Sequence, residues 1–415
     1  MSFNLKDWQE VTLSEISVGG KGSYGIAASA VEYSKNLYTY LRITDISDDG
    51  VLNKSGLTSV DDANAEKYLL KPNDIVFART GNSTGRSYFY DGTDGLLVYA
   101  GFLIKFSLDP NKVNPKYMKY YTISNEYKNW VSSFSTGSTR GNINAQTYGN
   151  MKFKLPPREQ QDFLVKILST IDGKIEINNQ TNKKLEEMAR AVFKQWFVDF
   201  EFPNEEGEPY KSSGGELVES EIGMIPKEWE VRVLGDIIEL FDSKRIPLSK
   251  NEREKREKIY PYYGAASLMD FVDDYIFDGI YILMGEDGTV VDDYGFPILQ
   301  YVWGKFWVNN HAHVIKGKGD ISDEFIYILL KNTNVSSIVT GAVQPKINQQ
   351  NLKGLKIAMP RDNKLTVDYS NIVKNSFEKV RCNSDEINIL INMRDLLLPK
   401  LMSGEIRVPV DSDEE

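Results

Sequence analysis

The sequence is poor in the residues from which metal centres and disulfide frameworks are built. Its 415 residues include one cysteine, Cys382, and two histidines, His311 and His313. A single cysteine excludes a disulfide within the chain and a zinc site built on cysteines. Two histidines are too few for a multi-histidine cluster, so we expect no metal site in this chain.

Long apolar runs and catalytic motifs are also missing. No apolar stretch approaches the roughly 18 residues of a membrane span, and Met1–Glu10 lacks the basic and apolar regions of a signal peptide. We therefore expect a soluble, cytoplasmic protein with no membrane partner. Gly19–Gly25 has the composition of a phosphate-binding loop without its spacing, and Leu155–Arg158 lacks the amino-binding residue of a methyltransferase loop. The sequence thus predicts a protein without a catalytic centre of its own.

The net charge is acidic, but the excess lies in two segments. From 49 basic and 59 acidic residues the chain carries −10, of which residues 201–224 carry −6 and residues 411–415 carry −4. The rest of the chain is neutral, so the acidity does not exclude DNA as a partner. A neutral surface neutralises few phosphates, and we expect weak non-specific binding to DNA.

The chain repeats itself. Trp8, Leu13 and Ile16 recur 221 residues later as Trp229, Leu234 and Ile237. The segment from Thr136 to Gln146 recurs as Thr340 to Gln350, now 204 residues later, so the second copy has lost residues in its middle. A constant frame around a variable middle is typical of a recognition module, although a drifted structural duplication would produce the same pattern.

Each copy is followed by a heptad pattern. Apolar residues and two asparagines occupy positions 164, 168, 171, 175, 178, 182, 185, 189, 192 and 196, and a second series runs from 373 to 401. Such a narrow stripe favours two long helices that pair with each other over helices that pack on their own domains. For helix pairing and subunit docking we single out Leu164, Ile171, Asn178, Leu185, Trp196, Phe377, Ile387 and Leu398.

These patterns predict an α+β fold. Two similar, mostly antiparallel domains are each followed by a long helix, and the two helices pair as an antiparallel coiled coil. Runs rich in β-branched and aromatic residues, such as Leu37–Ile46, Asp74–Arg79 and Leu96–Phe106, read as strands. The predicted segments are domain 1 at 1–157, a helix at 158–200, an acidic linker at 201–224, domain 2 at 225–362, a helix at 363–406 and an acidic tail at 407–415.

Polar loops offer candidate DNA contacts. Arginine reads guanine in the major groove, asparagine reads adenine, and loop amides hold phosphate. A solvated hairpin turn remains an equal interpretation of the loop at 79–86, tyrosines in such a fold more often belong to the core, and Asn144 and Asn348 read as helix caps. The candidates are Arg79, Thr80, Asn82, Ser83, Arg86, Ser138, Arg140, Lys244, Arg245, Tyr262, Tyr263, Asn310, His311 and Lys346.

Taken together, these segments resemble the specificity (HsdS) subunits of type I restriction-modification systems along the whole chain. The resemblance is carried by Leu155–Gln161 and Trp196–Phe200 at the ends of the first helix, and by Phe202–Glu216, Ile225–Trp229, Leu234–Ile237, Tyr262–Ala265, Gly285–Gly288, Asn309–His311 and Leu396–Ile406. One departure is the start of the second helix at Asp368–Asn371, which lacks the Pro-Pro-x-Glu-Gln pattern of the first. We therefore expect approximate symmetry only.

The resemblance implies a function. It implies two target recognition domains that each read one half of a split DNA site, and helices that dock two methyltransferase subunits. S-adenosylmethionine would bind to the methyltransferase partner, ATP and Mg to a possible restriction partner, and no cofactor to this chain. Two alternatives stay open: a duplicated coiled-coil scaffold that does not read DNA, and a specificity subunit in a methyltransferase-only or type IIB-like assembly.

Overall fold

The computed structural model of the chain describes residues 8–134, 141–341 and 343–406. The fold divides into two compact units, of which the first comprises residues 1–176 and 387–415 and the second residues 177–386. The boundary falls inside each of two long helices, so both helices contribute to both units. Within the described ranges, no helix combines the length and hydrophobicity needed to cross a bilayer.

The globular part of the first unit consists of short strands followed by short helices. Its elements are β1 Gln9–Thr12, β2 Ser23–Tyr24, β3 Ala30–Val31, β4 Tyr38–Leu41, β5 Thr58–Val60, β6 Asp74–Ala78, β7 Ser87–Tyr90, β8 Leu97–Tyr99, β9 Leu103–Ser107, β10 Lys152–Leu155, α1 Pro115–Tyr121, α2 Asn125–Ser132 and α3 Ala145–Gly149. Side chains cap the helices: Asn114 accepts from the amide of Lys116, and Ser124 accepts from that of Tyr127.

Two four-stranded sheets form the body of this unit. One has the order β2-β9-β6-β7, and the other has the order β3-β5-β4-β8. All pairs are antiparallel except β4 with β8, and β1 pairs separately with β10. Every residue of β6 is buried, which explains why its sequence is a continuous apolar run after Asp74 rather than an alternating one.

The predicted strand at Leu96–Phe106 is wrong as a single element. It forms two strands in different sheets, because the chain turns at Gly101 and the amide of Leu103 donates to the carbonyl of Ala100. The turn leaves Phe102 on the surface, where its side chain is 55% exposed. The sequence did not predict the turn, because the segment is hydrophobic on both sides of it and contains a single glycine.

A long helix, α4 (Arg158–Phe193), follows the first domain and continues as a π-helical turn at Lys194–Val198. The second unit then contains β11 Leu217–Ser220, β12 Gly223–Pro226, β13 Trp229–Val233, β14 Ile238–Leu240, β15 Tyr260–Tyr263, β16 Leu268–Val272, β17 Phe277–Asp278, β18 Tyr281–Gly285, β19 Leu299–Val302, β20 Lys305–Val308, β21 Ala312–Gly317 and β22 Lys356–Pro360. Its helices are α5 Lys250–Glu254, α6 Asp323–Lys331, α7 Gln349–Lys353 and the long α8 Lys364–Met402.

The second domain repeats the frame of the first. Its sheets have the orders β14-β21-β18-β19 and β16-β15-β20-β17, with β15 and β20 as the one parallel pair, and β13 pairs with β22 as β1 does with β10. The caps repeat as well, because Asn144 accepts from Thr147 at the start of α3 and Asn348 accepts from Asn351 at the start of α7. The predicted fold class, two similar α+β domains each followed by a long helix, is confirmed.

The segment predicted as a linker, residues 201–224, has structure of its own. Phe202 stacks on Tyr210 at 4.7 Å and on Trp229 at 5.5 Å between ring centroids, and the segment ends in the hairpin of β11 and β12. Its acidic composition is typical of a linker, but three aromatic rings bury enough apolar surface to order it.

Within the second unit, the two long helices run antiparallel and meet through polar side chains. The Nδ2 group of Asn178 donates to Glu386 at 2.8 Å, and Asn182 bonds to Ser384 at 3.1 Å and to Asn383 at 2.8 Å. Further along, the Tyr369 hydroxyl donates to the carbonyl of an alanine in α4 at 2.9 Å. Half-buried Leu185 continues the α4 seam, while Trp196 and Phe377 pack in the core of this unit.

Within the first unit, the helix ends join the globular core. Leu164 and Leu398 are 1% and 7% exposed and belong to the same cluster as the strands. Ile171 and Ile387 are both 9% exposed, and Arg394 pairs across the helices with Asp172 at 3.4 Å. The helices therefore combine the two arrangements that the heptad pattern allowed: they pair with each other, and their ends pack on the domains.

The asparagine layer yields a stability prediction. Asn383 is 1% exposed and donates to Asn182, so Asn182→Leu leaves a buried amide without its partner and should cost about 1–3 kcal/mol of unfolding free energy. The double variant Asn182→Leu/Asn383→Leu removes both polar groups and should recover most of that loss. Urea denaturation of the full chain measures both. The single variant Asn383→Leu completes the cycle, and a double variant whose loss equals the sum of the two single losses would contradict the coupling.

Candidate nucleic-acid interface

The two polar loops predicted in the first half lie side by side. The amide of Ile143 donates to the carbonyl of Arg79 at 2.9 Å, and the Thr84 hydroxyl donates to the carbonyl of Gly141 at 2.9 Å. Thr80 also forms an isolated β-bridge with the second loop. The surface formed by residues 79–86 and 141–144, here called the first loop surface, is therefore one continuous patch. Ser138 and Arg140 lie outside the described residues.

Arg79 begins the first loop surface, and its side chain contacts two aromatic rings. Its guanidinium carbon lies 5.3 Å from the ring centroid of Tyr24 and 5.8 Å from that of Phe102, both within cation–π range. Its Nε is enclosed and has no hydrogen-bond partner, and within the described ranges the side chain forms no ion pair. A buried N–H donor without an acceptor lowers the stability of a fold by about 1–3 kcal/mol. Such a donor is therefore unusual unless a ligand supplies the acceptor.

The remaining candidates of this loop differ in accessibility. Arg86 pairs with Asp48 at 2.7 Å and donates to the carbonyl of Ile46 at 3.1 Å, so it ties the loop to a neighbouring segment. Ser83 is 8% exposed, whereas Asn82 is exposed. Of these side chains, Asn82 is the one that a ligand would reach most readily.

The second domain builds the equivalent surface from different side chains. The amide of Ile347 donates to the carbonyl of Glu286 at 2.9 Å, as Ile143 does to Arg79. The amide of Glu286 in turn donates to the carbonyl of His311 at 2.8 Å, as that of Arg79 does to Phe102. Glu286 therefore stands where the first domain has Arg79. The second loop surface comprises residues 285–288 and 344–347.

Beneath the second loop surface lies a buried hydrogen-bond network. His313 is fully buried, and its two ring nitrogens face the Asp242 carboxylate at 2.6 Å and the carbonyl of Ile347 at 2.8 Å. Asp242 also accepts from the amide of Val314 at 2.8 Å and from Gln349 at 2.7 Å. The network fixes the start of α7 against the sheet.

Basic residues complete the network. Arg245 donates to Glu286 at 2.8 Å and lies 3.7 Å from Asp242, while Lys346 approaches Glu286 at 3.4 Å. Arg245, predicted to contact DNA, instead uses its guanidinium within the protein, and its side chain is 11% exposed. Lys346 is exposed and keeps donors for a ligand.

Asp242, Glu286 and His313 are also close enough for a shared metal ion, since one ligand atom of each lies within 4.8 Å of the others. The Arg245 guanidinium already pairs with the carboxylates of Asp242 and Glu286, and its positive charge repels a metal cation. Burial acts to raise the pKa of Asp242, but the hydrogen bond and charge of His313, the amide of Val314 and the charge of Arg245 outweigh it and hold that pKa below its usual range. The arrangement suits an internal ion network better than a metal centre.

Comparison with known proteins shows the family. The model of the type I restriction modification DNA specificity domain matches residues 5–187 and 226–381, which is most of the chain. The chain belongs to this family. The specificity domains so matched are the two structural repeats described above.

Individual proteins that are similar to this chain carry names of the same family. The type I restriction enzyme HindI specificity subunit of Haemophilus influenzae is 23% identical over 97% of this chain and 100% of its own length. The MjaIX specificity subunit of Methanocaldococcus jannaschii is 28% identical over 71% of this chain and 69% of its own. The solved S subunit from M. genitalium matches with a TM-score of 0.55 and 17% identity over 95% of this chain and 96% of its own, which supports the fold. The scaffold alternative is not favoured.

In the second specificity domain the candidates divide sharply. The prediction that Tyr262 contacts DNA is wrong for its ring, which is fully buried and accepts from the amide of Leu248 through its hydroxyl. Tyr263 is half-buried against the core, and burial raises its pKa. Lys244, Asn310 and His311 are exposed, and His311 pairs with Asp287 at 2.6 Å. The exposed three remain candidates.

Sequence reasoning missed Tyr24, Phe102, Asp242 and His313. In the sequence, Tyr24 and Phe102 lie far from Arg79, and only the sheet brings them together. A weak signal was available for one of them: Gly25, next to Tyr24, passes so close to the carbonyls of Tyr99 and Ala100 that a Cβ would overlap them. A glycine required by close backbone contact marks a segment whose position is tightly set.

The two aspartate–histidine pairs provide a matched test of the buried network. Both pairs are 2.6 Å apart, but Asp242 and His313 are buried whereas His311 is 49% exposed at its side chain. Asp242→Asn should therefore cost about 3–5 kcal/mol at pH 7, and Asp287→Asn about 1 kcal/mol or less. Urea denaturation of the full chain at several pH values measures both.

The pH dependence has a definite sign. Because the pKa of Asp242 is lower in the folded chain than its usual value of 3.8, its carboxylate stabilises the fold above that pH. The contribution is lost as the pH falls through the folded pKa, so the difference between wild type and Asp242→Asn should shrink below about pH 4. Equal losses for both aspartate variants, or a pH-independent difference, would contradict this account.

Proposed function

We propose that this chain selects the DNA sequence for a type I restriction-modification complex, with each specificity domain reading one half of a split, asymmetric site. The observation that carries the proposal is the repeated frame with unlike loop surfaces. The frame is the same in both matched regions, whereas the central side chain is Arg79 in one and Glu286 in the other. Because the two domains share one backbone frame, both would bind DNA in the same way. Because their side chains differ, each would recognise a different half-site.

The partners follow from the same proposal. Two methyltransferase subunits dock on the paired helices and modify adenine with S-adenosylmethionine that they bind themselves. Restriction subunits, where present, supply ATP- and Mg-dependent cleavage, and the assembly acts in the cytoplasm on double-stranded DNA. This chain contributes selection and no catalysis. Assemblies that contain methyltransferase alone, or that are type IIB-like, would use the chain in the same way.

Methylome sequencing tests the proposal directly. The chain is co-expressed with the methyltransferase subunit of the same system in a host that lacks adenine methylation, and the methyltransferase alone is the control. We expect methylation at one split motif only when both chains are present, together with their co-purification. A stable complex that leaves the genome unmethylated or methylated without a motif would favour the scaffold alternative.

The long helices offer a second test. If they set the spacing of the two half-sites, one heptad inserted into both helices lengthens each by about 10 Å, which is about three base pairs of B-DNA. The insertions are placed between Glu176 and Ile177 and between Glu386 and Ile387, where the division into units falls. We expect a longer spacer with both half-sites unchanged. Changed half-sites with a constant spacer would contradict the role of the helices.

A further inference from the structure

We propose that Tyr24, Arg79 and Phe102 form a guanine-reading clamp in the first specificity domain. In this clamp the guanidinium reads the base edge and the two rings hold it in place. The inference rests on the proposed function and adds the residues and the base that one half-site requires. Neither Tyr24 nor Phe102 is distinguished by the sequence pattern.

Arg79 is held in place before any ligand binds. Its guanidinium carbon lies 5.3 Å from the ring centroid of Tyr24 and 5.8 Å from that of Phe102, so the two rings restrict its rotation before any ligand binds. Its Nε is enclosed without a partner, and no acid within the described ranges pairs with the side chain. An arginine that is held in place yet unpaired is prepared for a ligand, because the entropy cost of ordering it has already been met by the fold.

Hydrogen bonds anchor the residues that carry the two rings. Backbone hydrogen bonds join Arg79 to Phe102 at 3.1 Å and to Ile143 at 2.9 Å, and the Tyr24 hydroxyl accepts from the amide of Ala145 at 3.2 Å. Phe102 is thus tied to the first loop surface, and Tyr24 to the residue that directly follows it. Nevertheless, the rings remain 44% and 55% exposed for Tyr24 and Phe102. Large aromatic side chains that are fixed and exposed beside an unpaired cation are typical of binding surfaces.

Guanine is the base whose edge matches the donors of Arg79. Arginine presents two parallel N–H donors, and guanine is the base whose major-groove edge offers two acceptors, O6 and N7, at matching spacing. The same fork also fits a phosphate, but a phosphate gains nothing from apolar rings beside the guanidinium, whereas a base in the groove can contact them. The geometry therefore favours a base edge over the backbone.

The second specificity domain places different side chains at the equivalent position. At the equivalent position Glu286 accepts from Arg245 and pairs with Lys346, so that site presents no unpaired guanidinium. Phe102 is replaced there by His311, which pairs with Asp287. A guanine reader at this place of the frame is therefore specific to the first domain, and the clamp should act on one half-site only.

The test uses the full chain with its methyltransferase partner and a plasmid library that carries randomised versions of the split site. Methylation of every library member is sequenced for wild type, Arg79→Ala, Arg79→Lys and Phe102→Leu. We expect Arg79→Ala to lower discrimination at one G·C position of one half-site roughly 10- to 100-fold, as for a lost bidentate contact. Arg79→Lys, which keeps the charge without the fork, should lose most of that discrimination, and Phe102→Leu part of it.

Each outcome bears on one hypothesis. Unchanged recognition of the second half-site shows, in the same sample, that a variant folds and assembles. As a control, Tyr294→Leu removes a 79% exposed ring outside the clamp and should leave recognition of the first half-site unchanged. If wild type shows no split site, the proposed function fails. If wild type shows one but Arg79→Ala and Arg79→Lys keep every position, relax an A·T position or weaken methylation uniformly, the clamp is overturned.

Discussion

One backbone hydrogen bond recurs at the centre of both specificity domains. In each, an isoleucine amide before a short helix donates to the carbonyl of the residue that follows a buried strand, Ile143 to Arg79 and Ile347 to Glu286. The bond uses no side-chain atoms of the loop that it holds. Strand ends and helix starts can therefore keep one geometry while the side chains between them change, which is what a set of proteins that read different DNA sequences needs.

The two domains use the freedom of that frame in opposite ways. In the first, Arg79 is held by rings, and its side chain has no acidic partner among the residues that the structure describes. In the second, Glu286 is neutralised by Arg245 above a buried Asp242–His313 pair. Charges enclosed in a protein interior must be paired, so the acidic version becomes an internal network. The basic version keeps its hydrogen-bonding capacity for the surface.

The paired helices combine apolar contacts in the first unit with polar contacts in the second. Apolar seam residues at their ends merge with the globular core in the first unit, where Leu164 and Leu398 pack among the strands. The asparagines near the middle of α4 bond to polar residues of α8 within the second unit. Buried asparagines of this kind stabilise one register over its neighbours, because any slip leaves amides without partners.

The sequence by itself determined the duplication, the two long helices, their seams and the capping roles of Asn144 and Asn348. These depend on local period and local hydrogen bonding, which a linear pattern records. It also singled out Arg79, whose contact with DNA stays a prediction. Only the tertiary structure decided that Leu96–Phe106 turns at Gly101, that Tyr262 is buried, that Arg245 faces an internal carboxylate, and that residues 201–224 are ordered. The physical reason is that burial and pairing are set by residues distant in sequence, and no periodicity encodes which strand or side chain will lie opposite.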